Sequence, residues 1–391
     1  MYSGYVAIFF LLIASFSLQA QSSINDHYRL LIGGYTKTGK SDGIYVYDFD
    51  VKAGSFRFMS QVPGIVNPSY LTVSKDRKRV YAVNEVGKGN GRISAFNFDA
   101  LSGSLELVNS VSSGGSGPCY VEVSDKGDYV FCANYGGGSL SAIRVNQDGS
   151  LSDDIQTIQH EGSSINKENQ SRPHVHSTVL SPDNQFLLSA DLGLDKVYSY
   201  RFDPSGAEPL SAMDPAFTTV SPGRGPRHIV FHPNGKFVYV IFELDGSISA
   251  YNYANGSLKE TQSVSMLAPG FKGIIEAADI HISPDGKFLY GTNREESNEL
   301  LIYAINKNGT LRYAGRQSTL GKGPRNFVID PTGRFLLVAN QNSDEIIIFK
   351  RNRSNGSVQF TGKKIAIGMP SCLKFVRIPP TVNKTVKIPT N

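Results

Sequence analysis

The sequence predicts an all-β fold, a seven-bladed β-propeller with four antiparallel strands per blade. Three observations carry this. A strand–turn–strand unit recurs six times, at intervals of 47 to 57 residues. Each unit is followed by two more strands with a turn between them, as in "GSISAYNY" and "GSLKETQSV". A seventh first strand, "SCLKFVRI", stands alone near the C-terminus. A period near 50 with four strands per unit is the pattern of propeller blades.

The closing blade comes first in the chain. "RLLIGGYT", "GIYVYDF" and "SFRFMSQV" are its three outer strands, and "SCLKFVRI" is its innermost one. This split lets the two ends of the chain close the ring, so no blade keeps an open edge. An array of β-sandwiches leaves the missing seventh hairpin unexplained. The six hairpins then follow in order: "YLTVSKDRKRVYAVNE", "YVEVSDKGDYVFCANY", "STVLSPDNQFLLSADL", "HIVFHPNGKFVYVIFE", "DIHISPDGKFLYGTNR" and "NFVIDPTGRFLLVANQ". Each is anchored on the residue before its turn: Ser74, Ser124, Ser181, His232, Ser283 and Asp330, with Val376 as the counterpart in the lone strand. One propeller domain over 28–378 accounts for the repeats, and 379–391 reads as a tail.

Composition agrees. Glycine supplies 39 residues for tight turns, Tyr and Phe together 41, and Trp none, a strand-forming bias. The formal net charge of +5 comes with no Lys/Arg run, so a nucleic-acid partner is not expected. The N-terminus stands apart. The run from Val6 to Phe16 is too short to span a membrane and ends in small and polar residues, as a signal peptide over 1–20 does. A periplasmic or secreted monomer, free of the membrane after cleavage, is the expectation. Cys119, Cys132 and Cys372 form neither a disulfide framework nor a zinc pattern and read as small buried residues.

The repeat also locates a site. Positions five before and eleven after each anchor are symmetric about the turn, so they are expected as cross-strand neighbours at the end of the hairpin away from it. The two innermost strands line the channel, which puts these positions around one mouth. Five before stand Ser69, Cys119, His176, Arg227, Ala278, Arg325 and Ser371; eleven after stand Glu85, Tyr135, Leu192, Glu243, Arg294 and Gln341, with Tyr35 as the seventh. The backbone context repeats, since Pro precedes the first position in five copies, yet the side chains vary.

Arg227 with Glu243 alone reads first as a cross-strand ion pair, and His176 alone as a structural histidine. Five charged or titratable residues in four consecutive blades read instead as a site: His176, Arg227, Glu243, Arg294 and Arg325. A guanidinium fork suits carboxylate or phosphate, and a carboxylate with an imidazole moves protons near neutral pH. Glu85, Gln341 and His174 are expected to bind substrate alongside Arg325, with Arg172 a further residue at the pocket edge. His228, His232 and His281 read as structural, and Arg224 as a solvated loop residue. "GGSG" and "GGG" lack a following helix and are turns, not phosphate loops. No HExxH motif occurs.

"HSTVLSPDNQ", "GPRHIVFHPNGKFVYVIFEL", "ADIHISPDGKFLYGTNR" and "GPRNFVIDPTGRFLLVANQ" resemble, in order and spacing, the seven-bladed propeller lactonase family. That family includes propeller-type 6-phosphogluconolactonases and carboxymuconate cyclases. The resemblance implies lactone hydrolysis, or its reverse, without metal or other cofactor. It places the family's histidine on His176, its glutamate on Glu243, its arginines on Arg227 and Arg294, and a further arginine on Arg325.

The expected mechanism uses Glu243 as general base, His176 as acid or second base, and Arg227 and Arg294 on the substrate's anionic group and carbonyl. Two other classes stay open. A non-catalytic exported propeller would bind an anionic sugar or a protein, although a pure anion binder gains nothing from a carboxylate among arginines. A muconate-lactone cyclase would use the same groups as a lyase.

Overall fold

The computed structural model describes residues 26–379. The expected signal peptide (1–20) and all but the first residue of the expected tail lie outside the described residues. Among the described residues no helix is long and apolar enough to cross a membrane.

Seven four-stranded antiparallel sheets form the ring. The innermost strands are β4 (Leu71–Val73), β8 (Pro118–Val123), β12 (Val175–Leu180), β16 (Pro226–Phe231), β20 (Ala277–Ile282), β24 (Pro324–Ile329) and β28 (Pro370–Arg377). Their hairpin partners are β5 (Arg79–Asn84), β9 (Tyr129–Asn134), β13 (Phe186–Asp191), β17 (Phe237–Phe242), β21 (Phe288–Asn293) and β25 (Phe335–Asn340). The split blade is as expected: β28 pairs with β1 (His27–Gly34), from Tyr28 against Arg377 to Gly34 against Pro370.

The anchor residues recur because they cap the hairpin turns. Ser74 Oγ accepts from the Arg79 amide at 3.0 Å, Ser181 Oγ from Phe186 at 3.0 Å and Ser283 Oγ from Phe288 at 3.1 Å. The third residue after each anchor takes a positive φ, from Arg77 at 64° and Asn184 at 55° to Gly235, Gly286 and Gly333 near 70°. Glycine fills most of these positions because it adopts that conformation without a Cβ penalty. Between blades, apolar faces interlock: Leu31 and Ile44 of the closing blade, Val80 and Phe96 of the first, and Val130 and Cys132 of the second share one cluster. Each such side chain contributes roughly 1.5–3 kcal/mol of burial free energy. All three cysteines are free and buried.

The register corrects one detail of the sequence reading. Pro226 pairs with Phe242 but His228 pairs with Ile241, so Arg227 is the extra residue of a β-bulge. Cys119, His176, Arg325 and Ser371 are the extra residues of equivalent bulges. The residue five before the anchor is therefore not a cross-strand partner of the one eleven after. A bulge bends the strand and re-aims its side chains, which is why bulges collect beside active sites. Proline suits the position before it, because the first residue of a strand has no ladder bond to lose.

Candidate active site

Arg227 is the centre of the site and is 2% exposed. Its Nε donates to Glu243 Oε2 at 2.6 Å, and its Nη1 to the Ala278 carbonyl at 2.7 Å. Glu243 follows β17 directly, and its amide bonds the Gly225 carbonyl at 2.8 Å. Its second oxygen, Oε1, lies 3.2 Å from Nη2 of Arg294. Arg294 is itself fixed by Glu276, with Nη1 3.3 Å from the carboxylate and Nε 3.2 Å from the carbonyl. Burial pushes the Glu243 carboxyl up, but Arg294, Arg227 and Arg325 outweigh it, and the group stays ionised below the usual carboxylate range.

A cavity of about 170 Å³ is lined by Glu85, Cys119, Tyr135, His176, Glu243 and Arg325. A narrow crevice that shares Cys119, His176 and Arg325 with it runs between Ser69, Tyr70, Arg227, His228 and Ser371. His176 is buried against Cys119, whose Sγ lies 3.8 Å from Nδ1, and edge-on to Tyr135 at 5.3 Å. Burial, then Arg227, His228 and Arg325, hold its pKa well below the ordinary histidine value, so the imidazole is neutral. The Tyr135 phenol is pushed up to about 12, chiefly by burial, and stays protonated.

Arg325 differs from the other two arginines. Its guanidinium lies over the Tyr35 ring at 5.4 Å and lines both spaces. No side chain or carbonyl among the described residues accepts a hydrogen bond from it. Burial lowers its pKa, but Tyr35, Glu85 and Glu243 reverse this and raise it. Glu85 is held by hydroxyls, with Tyr35 donating to Oε2 at 2.8 Å and Ser69 donating to the same oxygen.

The structure thus brings His176, Arg227, Glu243, Arg294, Arg325 and Glu85 together. It does not bring Gln341 or His174 into the cavity lining. Gln341 opens a short 3-10 turn, where its amide bonds Gly323. His174 stacks on Tyr135 at 4.4 Å, with Nδ1 3.0 Å from the Tyr135 carbonyl, and braces that wall from behind. Arg172 is exposed outside the lining. Arg224 is not solvated. It is buried over the Phe242 ring at 3.7 Å, and its Nε bonds Asp245 at 3.0 Å.

His228, read as structural, lines the crevice beside Arg227, and so does Tyr70 beside Ser69. The signal was present one residue further along each repeat. Four before the anchors stand Tyr70, Tyr120, Ser177, His228, Asp279, Asn326 and Cys372. Strict alternation turns these away from the residue before them, and the bulge undoes the alternation. Among the described residues no group of three His, Cys, Asp or Glu side chains is arranged to hold a metal ion.

Comparison with known proteins identifies the family. The family model "Lactonase, 7-bladed beta-propeller" matches residues 29–375. A 6-phosphogluconolactonase of Formosa agariphila is 38% identical over 304 residues, 77% of this chain and 86% of that protein. One of Bacillus subtilis is 33% identical over 302 residues, 76% and 84% of the two chains. The structure of the periplasmic gluconolactonase PpgL of Pseudomonas aeruginosa is similar with a TM-score of 0.87 and 40% identity, over 90% of this chain and 100% of that one. The chain belongs to the lactonase family of seven-bladed β-propellers.

Proposed function

We propose that the protein hydrolyses the six-membered lactone of a hexonic acid, with 6-phospho-D-glucono-1,5-lactone as the first substrate to test. One observation carries this reading. Glu243 is an ionised carboxylate fixed between Arg227 and Arg294, on the wall of a cavity shared with His176 and Arg325. A base of this kind takes a proton from water, and the resulting hydroxide adds to the lactone carbonyl. Negative charge then develops on the carbonyl oxygen. Arg325 has its N–H donors free to receive it, and one such donor is typically worth about 10²–10³ in kcat. The ring C–O bond breaks, the ring oxygen takes up a proton, and the acid leaves as a carboxylate. Because its imidazole is neutral, His176 fits a shared base role better than that of a resting acid.

Both curated relatives carry the name 6-phosphogluconolactonase, which supports the phosphorylated substrate. The Pseudomonas neighbour is named a periplasmic gluconolactonase. With the apolar stretch 6–16 read as an export signal, it favours a second reading, unphosphorylated glucono-1,5-lactone met outside the cytoplasm. One chain supplies every side chain of the cavity, which fits a monomer as the working unit.

The test is hydrolysis of both lactones and of a carboxylated lactone by the mature protein, with chelator present. Turnover of the phosphorylated lactone supports the first reading, and turnover of glucono-1,5-lactone alone the second. Inactivity on all three would leave a binding propeller.

A further inference from the structure

Behind Arg227 lies a buried chain of polar groups. Arg227 Nη1 lies 3.2 Å from His228 Nε2, and His228 Nδ1 lies 2.8 Å from Asp279 Oδ1. Asp279 is 1% exposed. Its other oxygen, Oδ2, accepts from His281 Nε2 at 2.9 Å, from the Phe327 amide at 3.2 Å and from the Asn326 side-chain amide. A guanidinium only donates, so His228 must present a lone pair at Nε2 and carry its proton on Nδ1. The carboxylate is the group that secures that tautomer.

We infer that Asp279 is a positioning residue for the site: it fixes the His228 tautomer, His228 fixes Arg227, and Arg227 fixes Glu243. The inference rests on the reading of Glu243 as base. The line Asp279–His228–Arg227–Glu243 has successive contacts of 2.8, 3.2 and 2.6 Å and crosses from β20 through β16 to the end of β17.

Asp279→Asn has a predictable consequence. The Oδ2 side carries three donors and the Oδ1 side only one besides His228, the Ile280 amide at 3.0 Å, so the amide oxygen sits at Oδ2 and its NH₂ faces His228. Nδ1 then becomes an acceptor, Nε2 carries the proton, and two donors oppose each other between His228 and Arg227. Arg227 loses its seat and its hold on Glu243 weakens. The groups around Glu243 that set its ionisation are Arg227, Arg294, Arg325, His176, Tyr135 and Glu85. Of these, Arg227 is the one the substitution displaces.

The first measurement is the His228 tautomer in the wild-type protein, from long-range proton–nitrogen correlations of ¹⁵N-histidine-labelled protein. A proton on Nδ1 is expected, and a proton on Nε2 overturns the inference without any variant. The second is the pH profile of Asp279→Asn on whichever lactone the protein turns over. In a serine-protease triad the corresponding carboxylate-to-amide change costs about 10⁴ in kcat. Acting here through an arginine, the change is expected to cost about 10- to 100-fold in kcat/KM at neutral pH and to move the acid limb upward. His281→Phe removes a donor from the far oxygen only, keeps a ring against Phe327, and is expected to stay within about twofold of wild type. A folded Asp279→Asn protein with an unchanged profile overturns the inference. If Glu243→Gln abolishes turnover in the same assay, that failure leaves the base assignment standing; if it does not, the base assignment fails first.

Discussion

Arg227 and Glu243 meet at 2.6 Å across the mouth of the channel, one on the bulge that opens its strand and the other just past the end of the neighbouring strand. The guanidinium is almost wholly buried, and the carboxylate side chain keeps 16% of its surface. Breaking a buried pair by removing one partner costs about 3–5 kcal/mol, because a charge is left uncompensated. The pair is therefore held firmly while one end faces a cavity.

Arg227→Met is expected to raise the Glu243 pKa, since an attracting charge is lost while burial remains. The acid limb of kcat/KM should move up by about one pH unit or more. Stability follows the same sign. A carboxyl held below its ordinary value of 4.5 stabilises the fold above that pH and loses the contribution as pH falls through its folded value. In Arg227→Met the folded value moves toward 4.5, so this acid loss of stability should shrink, which urea titrations across the acid range will show.

Arg325→Ala removes a guanidinium that rests on the Tyr35 ring and donates to no side chain or carbonyl among the described residues. A fall of about 10²-fold in kcat/KM is expected if it meets the oxyanion, with kcat carrying most of the loss. If it binds a substrate phosphate instead, KM for the phosphorylated lactone should carry the loss, and glucono-1,5-lactone should be spared.

His228 gives a stability signature of its own. Burial, with Arg227 beside it, lowers its pKa from 6.5 to about 4, against the pull of Asp279. The unfolded chain therefore binds a proton that the folded chain refuses over that window. Stability is full above pH 6.5 and falls as pH drops toward 4, by on the order of 3 kcal/mol. His228→Gln should flatten the slope of unfolding free energy against pH by about one proton's worth.

Ring closure is testable by truncation. Deleting residues 370–391 removes β28 and leaves β1 without its inner partner from Tyr28 to Gly34. It also takes away Cys372 and Leu373, both fully buried. Loss of cooperative unfolding, seen by circular dichroism, is expected.

Much of this architecture was legible because the repeat is regular. The anchor residues cap turns, and turn capping is a local demand that sequence records directly. The ring of residues at the mouth was legible for the same reason: Arg227, Glu243, Arg294, His176, Arg325 and Glu85 occupy equivalent places in successive blades. What escaped depends on the bulge. The extra residue at Arg227 breaks the two-residue alternation and turns His228 toward the crevice, where a regular strand would have turned it away. Gln341 lies outside the lining because its copy runs from the strand straight into a 3-10 turn, and His174, read from its place before the strand, stacks on Tyr135 instead. Arg224 looked solvated because its partners, Asp245 on a neighbouring turn and the Phe242 ring, are set by the fold and not by spacing.

The most direct test is the turnover of freshly made 6-phosphogluconolactone and glucono-1,5-lactone by wild type and by Glu243→Gln, both with chelator present. The account predicts chelator-resistant hydrolysis of at least one lactone by wild type, and a loss of about 10²–10⁴ in kcat in the variant with its fold intact. Equal turnover by the two proteins would contradict the role given to Glu243. No turnover of either lactone by wild type would contradict the lactone reading itself.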